Sequence, residues 1–446
     1  MKRMCLKGGH VVAGDVLLST DVLVVGEKIA ALGDSASFGL GADDEVVDCT
    51  GCVVFPGVID AHCHIALDTG VFATGDDWLV GTSEAAQGGI TSVVDFVGPQ
   101  PGEDLHHALD ARLAQAETGI VDHAFHLTAL DARPETLCSI SRCREWGISS
   151  LKIYTTYRPN YYLDDEAIVS ILERASDSDL AVLVHCENDA VVTHETARHR
   201  GEDLYRSYPA MRPSLAEVEA ARRVIALSEY TGARVVIAHN SAVETARVVA
   251  QARSRGIRVF NETAPQYLFL SARDNRESPE PWRYILQPPL RAAEDNEGLQ
   301  ASLLFGAVDM VITDHCAYTR EEKIHGMAGG VPGGLPGFAT LLPMTASVPG
   351  MTWTKLARVL CQNPARIYGL WPRKGAIIPG FDADIVVLRD EPVEIIDARH
   401  GGFAGYSPFV GHLGRGRIDR VYRRGECLVC DGKLAAHPGR GEYLRV

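Results

Sequence analysis

The stretch Phe55-Pro56-Gly57-Val58-Ile59-Asp60-Ala61-His62-Cys63-His64 runs apolar residues into a Pro-Gly break and ends in Asp-x-His-x-His. In extended backbone, residues two apart point to the same face, so His62 and His64 project together while Cys63 faces away. Two imidazoles on one face can share one cation. Taken alone, the pair also suits ordinary surface histidines, so its meaning depends on the rest of the chain.

Working outward, four further candidate ligands sit within or at the ends of apolar runs. Lys152 lies within Ser149-Ser150-Leu151-Lys152-Ile153-Tyr154, His185 ends Leu180-Ala181-Val182-Leu183-Val184-His185, and His239 ends Arg234-Val235-Val236-Ile237-Ala238-His239. Asp314 closes the set in Asp309-Met310-Val311-Ile312-Thr313-Asp314-His315. Short apolar, β-branched runs separated by helix-like stretches are the pattern of parallel βα units. Ligands at the carboxyl ends of several such strands are what a (β/α)8 barrel presents at its catalytic face. The expected fold class is therefore α/β, a TIM-type barrel.

The ordered set His-x-His, Lys, His, His, Asp resembles the amidohydrolase superfamily, and within it the dihydropyrimidinase and hydantoinase family of cyclic-amide hydrolases. The resemblance covers nearly the whole chain. It also rests on Thr74-Gly75-Asp76-Asp77-Trp78, Ala86-Gln87-Gly88-Gly89-Ile90-Thr91 and Glu262-Thr263-Ala264-Pro265-Gln266-Tyr267-Leu268. Pro288-Pro289-Leu290-Arg291, Asp314-His315-Cys316 and Asn363-Pro364-Ala365-Arg366-Ile367-Tyr368-Gly369-Leu370 match as well.

At 446 residues, 46% of them hydrophobic, the chain is long enough for a barrel and a smaller domain. A formal charge of −15 argues against nucleic acid or an anionic membrane as partner, because both need a cationic surface. The basic start Met1-Lys2-Arg3 is followed by no apolar signal region, and no apolar run is long enough to span a bilayer, so a cytoplasmic protein is expected. Eleven scattered cysteines read as reduced thiols; Cys138 with Cys143, or Cys427 with Cys430, lacks the second pair a structural zinc needs. Residues 1–54 and 377–446 both hold short apolar runs and turns, such as Val22-Leu23-Val24-Val25 and Gly380-Phe381-Asp382-Ala383-Asp384. The expectation is one composite β-sandwich from both chain ends beside a barrel spanning residues 55–376. Gly329-Gly330-Val331-Pro332-Gly333-Gly334-Leu335-Pro336-Gly337 is too rich in Gly and Pro for a helix and falls where a βα loop faces the active site.

The resemblance implies a binuclear site. His62, His64 and Asp314 would hold one divalent ion and His185 and His239 a second, with Lys152 bridging as a carbamate, N6-carboxylysine. A neutral lysine amine can add carbon dioxide, whereas a buried ammonium beside two cations is strongly disfavoured. Zinc is the expected ion, with manganese, cobalt or iron also suited to the ligands. In that reading a metal-bridging hydroxide attacks the ring carbonyl, Asp314 moves the proton to the leaving nitrogen, and Tyr157, five residues after Lys152, donates to the oxyanion.

Substrate recognition departs from the pattern. Where the family commonly has a serine before Pro-Pro-Leu-Arg and an asparagine in the Gly-Pro-rich loop, this chain has Gln287 and Gly333. Tyr154, Tyr161, Leu67 and Phe72 fall, by analogy, in loops that wall the pocket and suit an aromatic or other apolar substituent on a cyclic amide or imide. A dihydroorotase would carry an arginine at the position of Ala66 and an allantoinase would lack Tyr157, but an allantoinase stays an alternative because the Gly-Pro-rich loop departs from both patterns. A metal-free scaffold relative would have lost ligands, and here all six positions are filled. The family also implies a homo-oligomer, tetramer or dimer.

Overall fold

The computed structural model describes residues 2–69, 72–325 and 330–446. Gly329, the first residue of the Gly-Pro-rich loop, and Met1 lie outside the described residues.

Eight parallel strands form one sheet in chain order: β1 (Val58–Asp60), β2 (Ile90–Val97), β3 (Asp122–Thr128), β4 (Ser150–Tyr154), β5 (Ala181–His185), β6 (Arg234–Ile237), β7 (Val259–Thr263) and β8 (Met310–Val311). Every residue of β2, β3 and β5 is buried, as expected of strands covered on both faces. The sheet closes beyond β8, where His315–Cys316 pairs in parallel with Cys63–His64. Asp60 reinforces the seam: its carboxylate accepts from Thr313 N at 3.0 Å and Thr313 Oγ1 at 2.5 Å. The segment expected as one strand from Asp309 to His315 is thus two short pieces joined by a kink that carries Asp314.

Helices between the strands pack one face inward. Asp165–Asp177 buries Ile168, Ile171, Leu172 and Ala175, a helical repeat, and Asp164 caps it by accepting from Ala167 N. The Pro56-Gly57 break is where the chain passes from the outer sheet into the barrel. A Cβ on Gly57 would run into Thr91, so the tight crossing requires glycine.

The amino-terminal end forms a four-stranded sheet (Arg3–Lys7, Asp21–Val25, Lys28–Gly33, Glu45–Asp48), and both chain ends meet in a seven-stranded one that places Cys52–Pro56 beside Ile385–Glu394. Met4, Leu6, Val22, Val24, Ile29, Val54, Ile385 and Val387 form the core between them, separate from that of the barrel. Among the described residues no helix is long and apolar enough to cross a membrane.

Candidate metal centre

All six candidate ligands converge at the carboxyl end of the barrel and line one cavity of about 450 Å³. His62 and His64 flank Cys63 with ring centroids 5.3 Å apart, as alternation in extended backbone requires. Both rings rest on Phe96, each centroid 4.6 Å away. Asp314 Oδ1 stands 3.4 Å from His62 Nε2 and 3.3 Å from His64 Nε2, so these three side chains are close enough to share one ion. On the other side, His185 and His239 have centroids 4.5 Å apart, and His239 lies 5.3 Å from His62. Lys152 projects from β4 with its Nζ 5.2 Å from the centres of both Phe96 and Tyr154.

Two of these residues hold backbone that side chains usually avoid. His239 has φ 35° and Asp314 φ 52°, and Tyr157 shares the feature at 73°. Such strain costs of order 1–3 kcal/mol per residue and persists where the surrounding fold over-determines it. Each of the three is thereby turned toward the cavity rather than along its strand.

Partners outside the cavity fix the rings. His62 Nδ1 is bound by Glu262 at the end of β7. His185 Nε2 meets Glu187 Oε2 at 2.7 Å, and Glu187 is itself gripped by Arg212. Although burial opposes its ionisation, Arg212 and His185 hold the Glu187 carboxyl down at about 2. An ionised Glu187 accepts a hydrogen bond from Nε2, which leaves the Nδ1 lone pair of His185 available to an ion. Glu187, Arg212 and Glu262 were not legible as site residues; the one local hint was the two-residue spacing of Glu187 from His185.

The residues present fit divalent ions. His62 Nε2, His64 Nδ1 and His239 Nδ1 are buried with no hydrogen-bond partner, a costly arrangement unless a ligand supplies one. Burial, reinforced by Lys152 and neighbouring imidazoles, holds His62 and His239 well below their ordinary values, in the neutral form that binds metal. Burial likewise brings Lys152 down to about 8, so about a tenth of its amine is uncharged at pH 7, far more than for an ordinary lysine. It also pushes Glu262 up to about 8, against the pull of Lys152. The other carboxylate cluster among the described residues, Asp122, Asp382 and Asp384, surrounds Lys374 and is a salt-bridge network.

The residues expected to meet substrate line the same cavity: Tyr157, Gln287, Gly333, Leu67, Phe72, Tyr154 and Tyr161. Tyr154 is the last residue of β4 rather than part of a loop, and it packs edge-on to Tyr161 and Tyr157 at 5.1 and 5.8 Å. Tyr157 OH lies 3.2 Å from His185 Nε2. Because that nitrogen keeps its hydrogen and donates it in a hydrogen bond to Glu187, it offers no lone pair to the phenol, whose own hydrogen can point into the cavity. Burial keeps Tyr157 well above its ordinary pKa and therefore protonated.

Comparison with known proteins agrees with this geometry. The D-hydantoinase of Streptomyces coelicolor is 35% identical over 99% of this chain and 97% of its own length. The D-phenylhydantoinase of Escherichia coli is 34% identical over 99% and 98%. The crystal structure of dihydropyrimidinase from Brevibacillus agri superposes with a TM-score of 0.94 at 31% identity, covering 99% of this chain and 98% of that one. With the amidohydrolase family model matching residues 53–428, from the strand before the His-x-His through the barrel and into the second sheet, the chain belongs to the amidohydrolase family.

Proposed function

We propose that this enzyme hydrolyses cyclic amides or imides, hydantoins or dihydropyrimidines, opening the ring at an amide C–N bond. The observation that carries the reading is the convergence of His62 and His64 on Asp314, with His185, His239 and Lys152 beside them, in a cavity also lined by Tyr154, Tyr161, Phe72 and Leu67. His62, His64 and Asp314 would hold one divalent ion, His185 and His239 the other, and Lys152, as its carbamate, both. Two such ions, zinc first among the candidates, supply a water acidic enough to attack at neutral pH and a Lewis acid for the carbonyl.

This chain's residues supply the rest. Asp314, within 3.4 Å of both His62 and His64, takes the proton from the attacking water and returns it to the ring nitrogen as the C–N bond breaks. Tyr157 donates its phenol hydrogen to the oxygen that gains charge. Phe96 and the tyrosines exclude bulk water and strengthen both interactions. The position of Tyr157 beside His185 favours a hydantoinase-type site over an allantoinase, and Ala66 leaves no arginine for the carboxylate of a dihydroorotase substrate. We also propose a cytoplasmic homo-oligomer, tetramer or dimer. Its support is the edge strand Val16–Ser19, where Val16, Leu17 and Leu18 are 51%, 47% and 41% exposed.

The test is ring opening of dihydrouracil, hydantoin, 5-phenylhydantoin, allantoin and dihydroorotate by zinc- or manganese-loaded protein in bicarbonate, with Asp314→Asn as blank. Turnover of dihydrouracil or a hydantoin that disappears in the blank supports the reading. A protein with two metals per chain that leaves all five intact contradicts the substrate class.

A further inference from the structure

Gln287 and Gly333, the two positions that depart from the family pattern, meet in space. A Cβ on Gly333 would lie 3.0 Å from both Cγ and Cδ of Gln287 and 3.2 Å from its Nε2. The absent side chain at 333 therefore leaves the volume that the glutamine fills. Gln287 Nε2 donates to the hydroxyl of Tyr208 at 2.5 Å, and Tyr208 is buried on the helix Leu204–Met211. A primary carboxamide has a donor end and an acceptor end. Tyr208 takes one of the two Nε2 hydrogens and anchors that end, and Oε1 is the carboxamide's acceptor for a ligand in the cavity that both residues line.

One buried lysine fixes the two segments against each other. Lys323 Nζ donates to the carbonyls of Ile285 at 2.6 Å, Pro332 at 3.0 Å and Gly334 at 2.8 Å, bracketing Gly333 and reaching the segment that carries Gln287. Gly334 N also donates to Ile285 O at 3.1 Å. The glutamine is thus held on its amide side by Tyr208 and on its backbone side by this clamp, so its acceptor has a fixed place.

We infer that Gln287 determines which rings bind: its side-chain Oε1 accepts a hydrogen bond from a ring N–H, and Gly333 is glycine because a Cβ there would stand 3.0 Å from the glutamine and push it off its place by a few tenths of an ångström. The inference rests on the ring-opening reading. It concerns recognition alone, since the carboxamide takes no part in proton transfer.

The test pairs Gln287→Met, which keeps the length and removes the amide, with Gly333→Ala and the double variant, assayed on hydantoin and dihydrouracil. Loss of one neutral hydrogen bond raises KM roughly five- to tenfold and leaves kcat within about twofold. Gly333→Ala raises KM in the same direction and no further by shifting the glutamine, and the double variant is no worse than Gln287→Met alone. An unchanged KM in Gln287→Met, or effects that multiply in the double variant, would overturn the inference. If the wild-type protein opened neither ring, the reaction class would fall, and thermal unfolding would still judge the pair. Gly333→Ala should lower Tm by about 2 °C or more beside Gln287 and by less beside Gln287→Ala, while equal shifts would overturn the pairing.

Discussion

Two buried constellations of charged side chains sit at opposite ends of the barrel strands, and they are completed in different ways. At the amino end of β3, Asp122 joins Asp382 and Asp384 around Lys374, whose Nζ lies 2.6, 3.0 and 2.6 Å from the three carboxylates. There the chain supplies its own cation. At the carboxyl end, His62, His64, His185, His239 and Asp314 face one another, one nitrogen each of His62, His64 and His239 is unpartnered, and the lysine among them is pushed toward neutrality by burial. The same few residue types make a structural knot in one place and a receptor for ions in the other. The difference lies in whether a charged lysine reaches the centre.

The comparison is broken most severely at the receptor end. Lys152→Met should lower kcat/KM by about a thousandfold or more while Tm changes by only a few degrees, because the side chain serves ions rather than packing. Steady-state kinetics and thermal unfolding on one preparation check both halves. At the knot the pattern reverses. Lys374→Met leaves three buried carboxylates without their central cation and should cost about 3–5 kcal/mol of stability, measured by urea unfolding, with metal content unchanged.

Acid sharpens the contrast. Although burial opposes its ionisation, Lys374 and Lys28 hold the Asp382 carboxyl down at about 2 in the fold, below its ordinary 3.8. A depressed carboxyl stabilises fully above its unfolded pKa, so this contribution is present above about pH 4 and lost as pH falls through about 2. The wild-type protein should therefore lose stability faster than Lys374→Met across that window. A parallel decline in the two proteins would deny the knot its role.

Tyr157→Phe should reduce kcat by about a hundredfold or somewhat more with KM nearly unchanged. Comparable losses in both parameters would make the tyrosine a binding group instead. The smallest effect is expected at Glu262→Gln. The amide still reaches His62 but orients it less strongly, so metal affinity should fall by roughly 10- to 100-fold, read by competition with a chelating dye.

The barrel, and the six positions that the structure brings to one cavity, were legible because strand-length apolar runs and the ordered His-x-His, Lys, His, His, Asp set both lie in local sequence. Apolar runs of strand length mark the strands, and period two puts His62 and His64 on one face. The residues that orient the ligands were not legible. Glu262 is 200 positions from His62, and Arg212 reaches Glu187 from a different helix–loop segment; nothing in either neighbourhood announces the pairing. Lys374, Asp382 and Asp384 were equally silent, since an Asp-x-Asp before a strand reads as a turn until Asp122 is brought beside it. Nor could spacing show that Gln287 and Gly333 share one volume.

The most direct measurement of the central claim is metal content by plasma mass spectrometry, read with carbon-13 NMR on protein loaded with labelled bicarbonate. The account predicts two divalent ions per chain and a carbamate signal, with the signal absent and the metal content reduced in Lys152→Met. Catalytically active protein without bound metal, or two ions retained in Lys152→Met with no carbamate in the wild type, would contradict it.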